Sequence, residues 1–200
     1  MARPLRIQTP DLVRHVMSRG NARMAIFLDD ADYRRFLRIL ADVADGFDLE
    51  CWNYCLMPNH YHATIRPRRP NLSEAIRRLN GVYAQWWNRR HGSVGHVFQG
   101  RFKAQVVAHD DYLLTLSRYV VMNPVRAGLV KDAAAWPWSS YRAMAGLATM
   151  PAFLKPSGTL SLFGQGPDTL LREQFASFIS NAVEDLAAIE QFRSDQRVLK

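Results

Sequence analysis

Disulfide scaffolds, zinc ribbons and membrane spans are all ruled out by what this chain has little of. Its 200 residues include two cysteines, Cys51 and Cys55. On one strand they would face the same way, where a local disulfide would be unusual, so buried free thiols in a reducing compartment are expected. Without a second cysteine pair there is no zinc ribbon or finger. No apolar run approaches the roughly 20 residues that a spanning helix needs. The opening Met1-Ala-Arg-Pro-Leu-Arg6 has no apolar stretch behind it, which makes the cytoplasm the expected location. Internal repeats and low-complexity tracts are missing too, which leaves one ordinary domain, with or without an extension.

Acidic residues are scarce in one place. Between Arg66 and Lys103 there are nine Lys/Arg and one acid, Glu74, a balance of 9 − 1 = +8. Between Pro151 and Lys200 five bases face six acids, 5 − 6 = −1. The net charge of +8 therefore belongs to one segment and not to the whole surface. Such a segment suits a polyanion and acts largely by releasing counterions from phosphates. A solvated cationic face is the plainer reading, and charge alone does not separate the two.

What is present in quantity is apolar. Hydrophobic residues make up 48% and aromatics 11%, enough for a packed core. The patterns run in the order β-α-β-β-α-β. Leu12–Ser18 reads as a strand, with His15 in it as a packed residue. Asp29 or Asp30 caps a helix with Tyr33, Phe36, Leu37, Leu40 and Val43 at helical spacing, ended by Gly46. Leu49–Leu56 is a second strand. Met57-Pro58-Asn59 is a tight connection. A third strand follows it, then a basic loop at Pro67–Pro70. Asn71-Leu-Ser-Glu74 resembles a capping box for a helix carrying Leu72, Ile76, Leu79, Tyr83 and Trp86. Asn88–Gly100 is expected as a loop and Phe102–Val107 as a fourth strand. That order is the α+β ferredoxin-like sandwich, one antiparallel sheet with two helices on one face. A further helix, Asp110 to about Met122, can cross the open face. Pro124 starts a new turn there and Gly128 ends it. Pro151–Pro167 reads as a linker before an amphipathic helix with Leu170, Leu171, Phe175, Phe178 and Ile179. The domain boundaries expected are residues 1–145 and 146–200.

The third strand carries the chemistry. In Tyr54–Arg66, Y-C-L-M-P-N-H-Y-H-A-T-I-R, period two puts His60, His62 and Thr64 on one face and Tyr61, Ala63 and Ile65 on the other. Two neutral imidazoles at alternate strand positions make two legs of a divalent-metal site. Two solvated or packed histidines are the plainer alternative. Further on, Tyr119 and Asn123 are four apart and share a helix face. An amide oxygen is a hard donor suited to Mg²⁺ or Mn²⁺. A metal held by His60, His62 and Asn123 would leave positions for a phosphate oxygen, and Tyr119 beside it could act as nucleophile. A free phenol, with a pKa of about 10, needs such help.

These stretches resemble the single-tyrosine HUH transposases, in particular the REP-associated tyrosine transposases. The likeness lies in H-V-M-S-R-G-N-A-R (His15–Arg23), Y-C-L-M-P-N-H-Y-H (Tyr54–His62), F-Q-G-R-F (Phe98–Phe102), R-Y-V-V-M-N-P-V-R-A-G-L-V (Arg118–Val130) and W-S-S-Y (Trp138–Tyr141). It implies the ferredoxin-like fold, a metal held by His60, His62 and Asn123, and Tyr119 as nucleophile. It also implies cleavage of single-stranded DNA near a hairpin through a 5′-phosphotyrosine link, by a monomer or homodimer at the nucleoid. Arg68, Arg69, Arg77, Arg78, Arg89, Arg90 and Arg101 are candidates for phosphate contact, with Arg14, Arg19 and Arg23 as a second group. Two other readings stay open on the sequence: a DNA-binding protein that keeps the fold without strand transfer, and a metal-dependent nuclease that uses water.

Overall fold

Tyr61, Ala63 and Ile65 seat the histidine strand on a core, and the sheet is built round it. The computed structural model describes residues 9–181. Four strands, β1 (Arg14–Arg19), β2 (Leu49–Met57), β3 (His60–Pro67) and β4 (Lys103–Val106), form one antiparallel sheet in the order β2-β3-β1-β4. Helix α1 (Asp30–Gly46) joins β1 to β2, and α2 (Leu72–His91) joins β3 to β4. Their apolar stripes cover one face: Phe36, Leu40, Ile76, Leu79 and Tyr83 pack with Val16, Tyr61 and Ile65. The expected ferredoxin-like sandwich is what forms.

Helix α3 (Asp110–Arg126) lies across the other face, where Leu113, Leu116, Tyr119 and Val120 pack on Trp52, Cys55 and Met57. The sequence predicts an end near Met122, but the helix runs through Pro124. Proline brings no N–H to the helix. The Asn123 side chain supplies a substitute, its Nδ2 donating to the carbonyls of Tyr119 at 2.7 Å and Val120 at 3.5 Å. Buried Asn53 on β2 fixes the rotation of α3 by donating to Ser117 Oγ at 3.0 Å.

Other expectations need correcting. A register shift between Cys51 and Asn53 inserts a bulge at Trp52. Cys51 then lies opposite Ile65 and Cys55 opposite His62, so the cysteines point to opposite faces. Both are buried and free, and burial pushes the Cys51 thiol up to about 12. Asn71 does not cap α2; its amide donates to the Phe47 carbonyl. Helix α2 continues through Arg89, Arg90 and His91, ending at Gly92 in the left-handed region that suits glycine. Trp87 is its buried tryptophan, while Trp86 is partly exposed beneath Arg90.

The Pro151–Pro167 stretch is packed and is no free linker. Leu154 pairs with Cys51, and a short helix, Ser157–Leu160, lies against Trp52. A Cβ at Gly158 would come within 2.3 Å of the Trp52 ring, so glycine alone allows this approach. Of the C-terminal helix (Asp168–Ser180), Leu171, Phe175 and Ile179 enter the core, and the carbonyl of Phe178 accepts from Arg118. Trp138–Ser140 covers the outer edge of β2 through backbone bonds to Leu56 and Tyr54. No helix among the described residues is long and apolar enough to cross a membrane.

Candidate active site

Cross-strand partners share a sheet face. Met17 and Cys55 flank His62, Arg19 and Met57 flank His60, and His15 and Asn53 flank Thr64. His60 and His62 therefore point to the face crossed by α3, as their spacing required. Their rings lie 5.0 Å apart, and Tyr119 from α3 sits edge-on to His62 at 5.5 Å. The sheet and the crossing helix thus bring the histidine pair and the tyrosine together in one chain. Asn123 follows one turn later.

Each imidazole is engaged through Nδ1. His62 Nδ1 is 2.8 Å from Nε2 of His15, and the two rings stack at 5.0 Å. His60 Nδ1 is 2.6 Å from Oδ1 of Asn59. The sequence presents His15 only as a packed residue. It is buried, but it touches both His62 and the edge of Tyr119, at 6.1 Å. A histidine distant in sequence gives no local pattern; the antiparallel register of β1 on β3 is the signal that finds it.

Burial sets the protonation of the group. It pushes His15 and His60 down to about 4, with the nearby Arg19 charge adding to the effect on His60. Burial first, then the neighbouring imidazoles and the Arg19 and Arg126 charges, hold His62 well below its ordinary value. All three are therefore neutral near pH 7, the form in which an imidazole can ligate. The guanidinium of Arg126 lies 5.3 Å from the Tyr119 ring centre.

Among the described residues no three His, Cys, Asp or Glu side chains are arranged to hold a metal ion. Donors of mixed kind are nonetheless present. Nε2 of His62 is buried without a hydrogen-bond partner. Asn123 spends its Nδ2 on helix carbonyls, which leaves Oδ1 as the uncommitted end of the amide. Two imidazole nitrogens and one amide oxygen suit Mg²⁺ or Mn²⁺ chemistry.

The ten arginines separate into groups. Arg68 is paired with Asp11 and Glu50, Arg69 with Asp48, and Arg90 with Asp29 and fully buried Asp32. Carboxylates hold all three guanidiniums. Arg14 faces the α1/α2 side, half-buried, and burial lowers its pKa. Arg78 and Arg89 are exposed on α2. Arg19, Arg23 and Arg101 are exposed near the His60 end of the sheet, where Gln99 N bonds Arg19 O and Asn21 N bonds Val97 O. Arg77 and Arg101 line a groove of about 860 Å³ floored by Phe98 and Phe102.

The family model described as IS200-like transposase matches residues 8–123, and the chain belongs to that family. A solved REP-associated tyrosine transposase bound to a REP hairpin has the same fold, with a TM-score of 0.62 at 17% identity. The match covers 78% of this chain and 92% of that one. A putative transposase from Deinococcus radiodurans R1 matches at a TM-score of 0.42 and 17% identity, over 55% of this chain and 89% of that one, too distant to carry an argument. No curated protein matches the chain.

Proposed function

We propose that this protein cleaves and rejoins single-stranded DNA beside a hairpin, with Tyr119 as nucleophile and His60, His62 and Asn123 as ligands of a divalent metal. The observation that carries the reading is the Tyr119 ring set edge-on against His62 on the sheet face that holds the histidine pair. Hairpin DNA as substrate is supported by the fold-mate captured with one.

In this reading Tyr119 Oη attacks phosphorus. The bond from phosphorus to the 3′ oxygen breaks, the tyrosine loses its proton, and the departing oxygen gains one to become a 3′-OH. The DNA 5′ end stays linked to Tyr119, and a 3′-OH from another strand reverses the step. Bound metal would polarise the phosphate and stabilise charge developing on it. The protein's part is placement. Asn53 holds the tyrosine helix over the sheet through Ser117, and His15 holds the His62 ring. Exposed Arg19, Arg23, Arg77 and Arg101 supply positive charge for the strand, and one chain carries the whole site. Such a reaction belongs in the cytoplasm, at the nucleoid. Incubating the protein with labelled hairpin DNA carrying a single-stranded flank, with Mg²⁺ or Mn²⁺, should give a covalent protein–DNA adduct that chelator prevents. Nicking without an adduct would make water the nucleophile, and binding without nicking would leave a DNA-binding protein.

A further inference from the structure

Asn59 does more than turn the chain between β2 and β3. Its Nδ2 donates to the carbonyl of Arg23 at 2.9 Å, and this bond fixes which end of the amide is which. Oδ1 is then the end facing His60 Nδ1 at 2.6 Å. An amide oxygen only accepts, so Nδ1 of His60 must carry the proton. Nε2 is left with the lone pair. The contact between His62 and His15 fixes nothing comparable, since either imidazole can donate to the other.

The carbonyl that holds Asn59 comes from an unusual turn. Ala22 and Arg23 both lie in the left-handed region, at φ 49° and 62°, where non-glycine residues are strained. The turn is pinned on every side. Gly20 N bonds Asn59 O, Arg23 N bonds Gly20 O, Asn21 N bonds Val97 O, and Ile26 N bonds Pro58 O. A Cβ on Gly20 would come within 2.1 Å of the Met24 carbonyl oxygen, so only glycine closes the turn. Strain retained beside a reactive group is a mark of pre-organisation.

We infer that Asn59, clamped by the strained Asn21–Arg23 turn, is a positioning residue that locks His60 in the Nδ1–H tautomer and so presents Nε2 to the metal. Ring-orienting partners of this kind typically set metal affinity by about 10- to 100-fold. The inference rests on the metal-site reading above, but the tautomer is measurable without metal.

The test uses the full chain, metal-free, with nitrogen NMR of the histidine rings, followed by Mn²⁺ titration read by electron paramagnetic resonance. In the unaltered protein His60 should be the Nδ1–H tautomer. In Asn59→Leu it should lose that preference and bind Mn²⁺ about 10- to 100-fold more weakly, with His62 signals unchanged. Asn59→Asp keeps an acceptor at the same place and should keep the tautomer. Finding His60 as Nε2–H in the unaltered protein overturns the inference, whether or not any variant folds. So does a folded Asn59→Leu with unchanged tautomer and unchanged Mn²⁺ affinity. If the tautomer responds as expected and the unaltered protein binds no Mn²⁺, Asn59 positions His60 and the metal reading fails.

Discussion

The two faces of the sheet are finished differently. On the α1/α2 side the contacts are mostly apolar; the Tyr61 hydroxyl donates to Asn80 and that of Tyr83 to the Ile26 carbonyl, while Trp87 Nε1 is buried there without a partner. On the α3 side the face is polar and partly unspent. His15 Nδ1, Asn53 Oδ1, His62 Nε2 and Thr64 Oγ1 are all buried there without a partner. An unmade hydrogen bond on a buried group costs about 1–3 kcal/mol. A face that tolerates several is arranged for something other than stability. Both faces carry apolar packing, and the α3 face also keeps donors and lone pairs available beside its cluster of Trp52, Met57, Leu113 and Leu116.

That division can be broken from either side. The largest expected effect is on chemistry. His60→Ala with His62→Ala should abolish DNA cleavage, while hairpin affinity of the folded fraction in a binding assay stays close to that of the unaltered protein. Phe36→Ala on the opposite face should do the reverse, lowering stability by about 3–5 kcal/mol in denaturant unfolding while the folded fraction keeps its cleavage rate. Asn53→Leu lies between the two. It removes the bond that sets the α3 rotation, so a loss of about 1 kcal/mol should accompany a drop in cleavage. Arg77→Ala with Arg101→Ala should flatten the salt dependence of single-stranded DNA binding. The log–log slope should fall by about 0.7 for each phosphate that an arginine no longer neutralises. Arg68→Ala with Arg69→Ala should leave the slope as it is, because carboxylates already hold those side chains.

The account also implies a dependence on pH. Burial depresses the folded-state pKa of His15 and His60 to about 4, so the unfolded chain binds more protons below about 6.5. Metal-free protein should therefore be steady above that pH and lose stability as pH falls from about 6.5 towards 4. His15→Phe should shallow the decline in a series of thermal melts.

Much of this was legible in the sequence because it depended on local period. The shared face of His60 and His62 and the core face of Tyr61, Ala63 and Ile65 follow from the strand repeat. The strand and helix order was enough to choose the ferredoxin-like sheet. Features that depended on partners far along the chain were not legible. His15 reaches His62 only through the β1–β3 register. Asn59 reads as a turn residue until the Arg23 carbonyl is placed beside it. One bulge at Trp52 was enough to separate the faces of Cys51 and Cys55. Among the arginines, charge in sequence did not distinguish Arg90, held by Asp29 and Asp32, from Arg101, which faces a groove.

The central claim is that the polar face exists to serve Tyr119, and removing one oxygen tests it. Tyr119→Phe keeps the ring against His62 and so should keep the fold, metal binding and hairpin binding. Incubated with labelled hairpin DNA and Mn²⁺ and resolved on a denaturing gel, it should give no covalent adduct and no strand transfer, while Tyr112→Phe, from the same helix, should give both. An adduct that persists in Tyr119→Phe and disappears in Tyr112→Phe would contradict the account.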